Sequence, residues 1–138
     1  MEFIVYGQPR GKERPRFARK TGTTYTPKRT RDYEAHIRSA FKAAPGCERI
    51  PADCSVAVSV EAYFSIPKSY SKARKQACVD NSERPRKKPD GDNILKVVLD
   101  ALNGLAYEDD RQVVDETIHK YYTSGDGFIV VRVRESKT

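Results

Sequence analysis

Apolar residues recur along the chain with the periods of strands and helices, and these periods predict its regular elements. From Cys54 to Phe64 every second residue is apolar, which predicts a half-buried strand. Shorter alternating or apolar stretches predict further strands at Glu2–Tyr6, Val113–Tyr122 and Phe128–Arg134. Glycine, serine and aspartate at positions 123–127 are typical of turns and predict that the last two strands form a hairpin.

Two segments instead show helical spacing. The first helix is expected to begin at Thr30 or Asp32, either of which is a good N-cap residue, and to end near Ala44. The second spans Asp92–Asn103, with Asp92 as its N-cap and Gly104 directly after its end.

The order β-α-β-α-β-β predicts a single α/β (α+β) domain over residues 1–138. We expect a mixed sheet with the helices mainly on one face. Two polar segments interrupt this pattern: a basic loop at 7–28, rich in glycine, proline and arginine, and a basic linker at 68–89. Within the linker, residues 71–78 favour a helix.

Charge is unevenly distributed along a chain whose net charge is +7. Residues 1–40 carry ten basic and four acidic side chains, and residues 68–88 carry eight and two. Residues 90–116 reverse the balance, with eight acidic and two basic side chains. Two basic zones beside an acidic zone that follows them fit a polyphosphate ligand, although charge runs also occur simply as solvated surface.

The cysteines and histidines do not indicate a metal or disulfide framework. Cys47, Cys54 and Cys78 form no CxxC pair, and neither His36 nor His119 lies at a zinc-ligand spacing from them. We expect reduced thiols in a cytoplasmic protein. No apolar run is long enough to cross a membrane, and the first residues lack the pattern of a signal peptide.

The acidic zone has a spacing that suggests metal chemistry. Asp90 and Asp92 stand two residues apart just before a helix, and carboxylates about 4 Å apart repel by roughly 4 kcal/mol at an effective dielectric constant of 20. A hard cation such as Mg²⁺ between them would relieve that repulsion. Lys96 and Asp100 continue a polar stripe along the helix, and an acid from residues 108–110 is expected to complete the cluster.

Each of these features also has an ordinary structural explanation. Asp92 could serve only as a helix cap, Asp92 and Lys96 could form a simple i,i+4 ion pair, and residues 108–110 could form a solvated turn. A calcium-binding EF-hand loop is excluded, because Leu95 stands where glycine is required and Ala101 where the last glutamate should be.

The segment KPDGDNILKVVLDALNGLAYEDDRQVV, residues 88–114, resembles the signature of the RusA family of Holliday-junction resolvases. That signature runs D-x-D-N-x-x-K-x-x-x-D-A-L, a short loop, then D-D-x-Q-V, and this chain meets every named position. GQPRGKERPRF, residues 7–17, and YTP, residues 25–27, are similar to a phage- and prophage-like branch of the family.

The resemblance implies a Mg²⁺-dependent endodeoxyribonuclease, with Mn²⁺ as an alternative ion. Such an enzyme resolves four-way DNA junctions by paired cuts, acts as a homodimer and serves recombination and repair. The resemblance assigns catalysis and metal binding to Asp90, Asp92 and Asp110, and a further catalytic role to Lys96. We expect branched DNA as the partner and no membrane.

Nucleic-acid contacts are expected from the basic zones. The best-known family members carry a basic residue directly before the first aspartate, where this chain has Pro89, so that contact is expected to move to the lysines upstream. The predicted DNA-binding residues are Arg10, Lys12, Arg14, Arg16, Lys87, Lys88 and Asn93. Phe17 and Tyr25 are interpreted either as base-stacking residues or as packing under the loop.

Two other functions remain open at this stage. The chain could be a nucleic-acid-binding module without catalysis, in which the acids serve as caps and turns. It could also be a metal-dependent nuclease that acts on other branched DNA or on RNA, because the sequence does not define the shape of the substrate.

Overall fold

The computed structural model describes residues 1–136 and shows a mixed sheet packed against helices, which confirms the predicted α+β class. The strands are β1 (Glu2–Tyr6), β2 (Arg16–Ala18), β3 (Thr23–Tyr25), β4 (Val56–Ser65), β5 (Val113–Thr123) and β6 (Phe128–Glu135). The helices are α1 (Lys28–Ala43), α2 (Lys72–Val79) and α3 (Gly91–Leu102). Among the described residues, no helix combines the length and the apolar character needed to cross a bilayer.

The main sheet has the strand order β1-β6-β4-β5, in which β4 is parallel to β5 and antiparallel to β6. The predicted hairpin between β5 and β6 is therefore wrong, because β4 lies between them. Residues 124–127 cross the end of β4, where the Ser65 hydroxyl donates to the carbonyl of Gly125 at 3.0 Å. The apolar strand β4 is paired along both edges, whereas the more polar β5 forms an outer edge.

The core lies between one face of the sheet and the helices. Phe3 of β1 meets Phe41 of α1 edge to face, with ring centroids 5.6 Å apart. Ile37 of α1 and Ile94 of α3 are fully buried in the same cluster. The apolar stripe that the sequence predicts on α3 faces this core, so its polar stripe faces outward.

Helix α1 begins earlier than the sequence predicts. It starts at Lys28, directly after Pro27, so neither Thr30 nor Asp32 is its N-cap. Thr30 is only 2% exposed, and its hydroxyl lies 3.4 Å from both the backbone nitrogen and the carboxylate of Glu13. A tertiary contact with the basic loop has therefore taken the place of the expected cap.

Helix α3 begins at Gly91, with Asp90 rather than Asp92 at the N-cap position. The Asp90 carboxylate makes no capping hydrogen bond, and Asp92 is the second helical residue. Gly104 follows the helix with a φ of +77°, a conformation that glycine adopts without strain, as the sequence predicts.

The basic loop contains more structure than the sequence predicts, whereas the helix favoured within the basic linker is present. Strands β2 and β3 pair as a small antiparallel ribbon within the loop. Helix α2 lies within the linker, at the segment that favours a helix, and the Ser71 hydroxyl caps it by accepting from the Arg74 amide at 3.2 Å. Phe17 and Tyr25 project from the ribbon with 62% and 47% exposure, so they do not pack under the loop.

Candidate active site

A groove of about 710 Å³ opens between residues 9–14 and the start of α3. We call it the basic groove, because five of its eleven lining residues are cationic. The charged and amide side chains that line it are Arg10, Lys12, Glu13, Arg14, Arg29, Lys88, Asp90 and Asn93. Of the predicted DNA-binding residues, it therefore brings together Arg10, Lys12, Arg14, Lys88 and Asn93 with the predicted catalytic Asp90.

Close backbone contact holds one wall of the basic groove against α3. The Lys12 amide donates to the carbonyl of Asn93 at 2.9 Å. A Cβ atom at Gly11 would lie 2.9 Å from the Cβ of Pro89 and 3.0 Å from that of Asn93, which is too close for any larger residue without a shift. Gly11 therefore allows the loop to lie directly on the segment that carries Asp90.

The Lys12 ammonium binds two carboxylates from different helices. It lies 2.9 Å from Glu34 of α1 and 3.1 Å from Asp100 of α3, and its side chain is 15% exposed. Desolvation opposes the charged form, but the hydrogen bonds to both carboxylates outweigh it and raise the pKa of Lys12. Lys12 thus ties the loop to both helices, and its contact with DNA remains a prediction.

Asp90, Asp92 and Lys96 lie at the N-terminal half of α3. All three are exposed, and among residues 1–136 none of them forms an ion pair within 4.0 Å. The simple Asp92–Lys96 ion pair is therefore not formed. Two carboxylates and an ammonium group therefore stay available near the start of α3, and of the three residues Asp90 lines the basic groove.

Asp110 lies at the other end of α3, in a short 3-10 helix that spans Asp110–Gln112. Its amide donates to the side-chain oxygen of Asn103 at 3.1 Å, which joins this turn to the end of α3. Asp109 caps the turn by accepting from the Arg111 amide at 2.9 Å, and this hydrogen bond lowers the pKa of Asp109. The Asp109 carboxylate therefore already has a local structural role.

Gln112 fixes the acidic turn to the sheet. Its side-chain oxygen accepts from the amides of Glu108 and Asp109 at 2.8 and 3.1 Å. Its side-chain nitrogen donates to the carbonyls of Pro51 and Cys54 at 2.9 and 3.0 Å. The glutamine of the D-D-x-Q-V pattern thus positions Asp110 through four hydrogen bonds.

Tyr107 is fully buried and donates to the carbonyl of Leu99 at 2.8 Å. Burial raises the pKa of the Tyr107 hydroxyl, and the negative charges of Asp110, Asp100 and Glu116 raise it further. The negative charges of all three carboxylates therefore raise the pKa of one buried hydroxyl. Glu116 was not among the predicted site residues.

The three predicted metal ligands do not meet within one chain. Asn103, the partner of Asp110, stands eleven positions after Asp92 at the end of α3, and a rise of 1.5 Å per residue places these two positions about 16 Å apart. Within residues 1–136 no three Asp, Glu, His or Cys side chains lie close enough together to bind a metal ion as a group. Asp90 and Asp92 lie at one end of α3, and Asp110 at the other.

The remaining predicted DNA-binding residues lie outside the lining of the basic groove. Arg16 is exposed on β2, 3.7 Å from Glu13. The carbonyl of Lys87 accepts from the Lys120 ammonium at 2.6 Å. Desolvation lowers the pKa of Lys120, which Lys87 lowers further, while the negative charge of Asp90 acts in the opposite direction.

Arg29 was missed by the sequence analysis although it lines the basic groove. Arg29 belongs to the first turn of α1, which begins at Lys28. The sequence predicted that this helix begins only at Thr30 or Asp32. The signal that could have revealed it is the run Pro27-Lys28-Arg29, because proline favours the start of a helix and so indicates that the next residues are helical.

Comparison with known proteins relates this chain to a family of nucleases. A family model described as "Endodeoxyribonuclease RusA" matches residues 6–134. The chain is also similar to the uncharacterized protein YqaN of Bacillus subtilis (strain 168). The two are 34% identical over 139 aligned residues, which cover 98% of this chain and 96% of YqaN.

Proposed function

The chain belongs to the RusA family of endodeoxyribonucleases, and from this we propose that it is a Mg²⁺-dependent, structure-selective nuclease that resolves four-way DNA junctions in recombination and repair. One observation carries most of the proposal: Asp90 shares the basic groove with Arg10, Arg14, Arg29 and Lys88. A phosphodiester drawn to these cations would lie beside the acidic start of α3.

Asp90 and Asp92 are the residues that would hold the metal ion. Protein sites for Mg²⁺ often use only one or two carboxylates, with water and substrate phosphate as the other ligands. The Asp90 carboxylate makes no capping bond and Asp92 makes no ion pair among the described residues, so both have oxygen atoms to offer. A bound divalent ion would supply an activated water and stabilise charge on the phosphate.

Cationic residues in and around the groove bind and orient the DNA. The guanidinium groups of Arg10, Arg14 and Arg29 bind backbone phosphates and set the path of the duplex without reading its sequence. Lys96 lies one helical turn after Asp92, and its ammonium stabilises negative charge that develops on the phosphate in the transition state. Arg16, Lys87 and Lys88 extend the cationic surface.

A homodimer suits this reaction because resolution of a four-way junction needs two matched cuts. A two-fold dimer presents two identical sites in a fixed relation, which matches the approximate two-fold symmetry of the junction. The third aspartate of the family signature, Asp110, is proposed to act in the same reaction.

The proposal is tested by cleavage of a synthetic four-way junction with Mg²⁺ or Mn²⁺. Asp92→Asn should still bind the junction but cut it about a hundred-fold more slowly, because one anionic metal ligand is lost. Asp126→Asn, an exposed aspartate in the β5–β6 connection, is the matched control and should cut normally. Wild-type cutting rates in Asp92→Asn would refute the assignment.

Two alternative functions make different predictions in the same assay. The separation of Asp110 from Asp92 favours a binding module without catalysis, which would bind DNA in a salt-sensitive manner and give no nicked product in any metal. A nuclease for other branched DNA would cut flaps as well as or better than junctions. A panel of junction, flap and linear duplex separates the three functions.

A further inference from the structure

The small ribbon of β2 and β3 exposes two aromatic side chains that the proposed reaction does not use. Every residue of β3 and two of the three residues of β2 are exposed. Phe17 is 62% exposed and Tyr25 is 47% exposed. Within residues 1–136 neither ring joins the hydrophobic core, where aromatic side chains usually contribute buried area. The ribbon therefore carries two apolar surfaces that do not stabilise the fold.

The register of the ribbon places the two rings on opposite faces. Tyr25 pairs with Arg16, and Phe17 pairs with Thr24. Directly paired residues of an antiparallel ribbon share a face, and successive residues of a strand alternate between faces. Phe17 therefore lies on one face of the ribbon and Tyr25 on the other. We call this two-stranded element, with one ring on each side, the aromatic ribbon.

The base of the aromatic ribbon is fixed beside the basic groove. Glu13 and Arg14 line that groove, and β2 begins two residues later at Arg16. The Glu13 carboxylate lies 3.4 Å from the Thr30 hydroxyl of α1 and 3.7 Å from the Arg16 guanidinium. A DNA segment held in the basic groove would therefore lie close to the two rings.

The charges near the rings indicate what kind of partner fits them. Residues 16–25 include three exposed cations, Arg16, Arg19 and Lys20, and no acidic residue. A second copy of this chain would bring its own net charge of +7 against them, which disfavours self-association through the ribbon. A nucleic acid matches both features, because its bases offer flat π faces and its backbone offers anionic phosphates.

Base faces are accessible to such rings only where the regular stack of a duplex is interrupted. In a continuous duplex each base pair is covered on both sides by its neighbours. The base pairs that border a branch point lose stacking neighbours at lower cost, so an aromatic side chain can take the place of a neighbour there. A four-way junction therefore offers stacking sites at its centre that a linear duplex lacks.

We infer that the aromatic ribbon selects branched DNA over linear duplex by inserting at the branch point, with Phe17 stacked on a base of one arm and Tyr25 on a base of the adjacent arm. The inference rests on the proposed function, because it takes branched DNA as the substrate. It deepens that function by assigning the selectivity for DNA shape to two residues outside the basic groove. Phosphate contacts bind any duplex, whereas the rings provide the preference for a branch.

The first test replaces each ring by leucine, which keeps an apolar side chain and removes the aromatic face. Binding to a four-way junction and to a linear duplex with the same arm sequences is measured without divalent metal, so that no cutting occurs. Phe17→Leu and Tyr25→Leu should each weaken junction binding about ten-fold, as expected for the loss of one base–aromatic stack, and leave duplex binding unchanged. Equal changes for both DNAs, or no change for either, would overturn the inference.

Tyr6→Leu is the matched control for this comparison. Tyr6 is 71% exposed on β1, outside the aromatic ribbon, so its replacement should leave both affinities at the wild-type value. A loss of junction binding in Tyr6→Leu as large as in Phe17→Leu would show that any exposed ring contributes, and would overturn the inference.

The second test locates the rings on the DNA. Junctions that carry 5-iododeoxyuridine either beside the branch point or in the middle of an arm are irradiated with bound protein, because this base cross-links preferentially to an aromatic ring stacked on it. Cross-links from the branch-point base should map to Phe17 or Tyr25. Cross-links to these residues from the mid-arm base, or cross-links from the branch-point base only to other residues, would overturn the inference.

The outcomes separate this inference from the proposed reaction. If wild-type protein prefers junctions through both rings but never cuts them, the role of the aromatic ribbon stands and the nuclease assignment falls. If wild-type protein cuts junctions while both leucine variants keep the wild-type preference, the nuclease assignment stands and the role of the ribbon falls. Phe17→Leu should also leave the oligomeric state unchanged in sedimentation equilibrium. A shift towards smaller species would show that Phe17 contacts a second copy of the chain, and would overturn the inference.

Discussion

Lys12 offers a direct test of whether the basic loop binds DNA with every cation or uses one of them to hold its own shape. The sequence predicts that Lys12 contacts phosphate, whereas the structure places its ammonium between Glu34 and Asp100. The informative change is Lys12→Met, which keeps much of the side-chain length and removes the charge.

The expected loss of stability follows from the geometry of this network. The ammonium makes contacts of 2.9 and 3.1 Å with two carboxylates, and the side chains of Lys12 and Glu34 are 15% and 12% exposed. Hydrogen bonds to charged groups contribute about 1.5–3 kcal/mol each, and partial exposure reduces that figure, so we expect a loss of about 3 kcal/mol in the free energy of unfolding. The exposed pair Lys28–Asp32 provides a control, and Lys28→Met should change stability little.

The same network predicts a pH dependence. The pKa of Lys12 is raised in the folded protein by its hydrogen bonds to Glu34 and Asp100, which outweigh desolvation. Its stabilising effect is therefore fully present below the unfolded pKa of about 10.4 and is lost as pH rises through the higher folded value. The stability difference between wild type and Lys12→Met should be constant near neutral pH and shrink in alkaline solution.

Urea denaturation followed by circular dichroism measures these differences, and junction binding over a range of salt concentrations completes the assay. If Lys12 is structural, Lys12→Met lowers the urea midpoint. Junction binding then also weakens, because the loop is displaced. If Lys12→Met unfolds at the wild-type midpoint but loses about one unit of salt slope, Lys12 contacts phosphate and the structural interpretation is refuted.

Three further changes test the rest of the site. Gly11→Ala should cost roughly 1–3 kcal/mol and weaken junction binding, because its new methyl group would meet two side chains at about 3 Å, whereas Gly125→Ala, in open space, should be nearly neutral by the same urea and binding assays. Gln112→Glu should lower stability by about 2 kcal/mol, since it loses both donors to backbone carbonyls, and a wild-type urea midpoint would contradict this. Asp110→Asn should cut junctions as slowly as Asp92→Asn; activity that returns when the two variants are mixed would show that these carboxylates act from different chains of a dimer.

Periodicity predicted the elements that build the core but not how distant elements pair. The alternation in β4 and the apolar stripe of α3 each reflect one buried face, so local sequence was sufficient. The hairpin prediction for β5 and β6 failed because it assumed that strands close in sequence pair with each other. Residues 124–127 instead step across β4, and no local pattern encodes that step.

The family signature predicted which positions carry the chemistry, yet sequence spacing did not reveal how far apart these positions lie in space. Asp92 and Asp110 belong to one continuous motif, but the rise of α3 carries the chain about 16 Å before the turn that holds Asp110. Similarly, a run of basic residues suggested that Lys12 binds DNA. Its carboxylate partners lie 22 and 88 positions further along the chain, so only the tertiary fold reveals them.

The opposed charge zones explain why the acidic and basic segments must lie together. Carboxylates at the start of α3 would repel a DNA phosphate by themselves, so a phosphate can approach Asp90 only if nearby positive charge outweighs this repulsion. Arg10, Arg14 and Arg29 supply that charge in the same groove. They remain available to do so because Lys12 meets the acids of α1 and α3, which holds the loop in place without using its arginines. One cation of the loop thus contacts the carboxylates of the fold, and we propose that the neighbouring arginines bind the ligand.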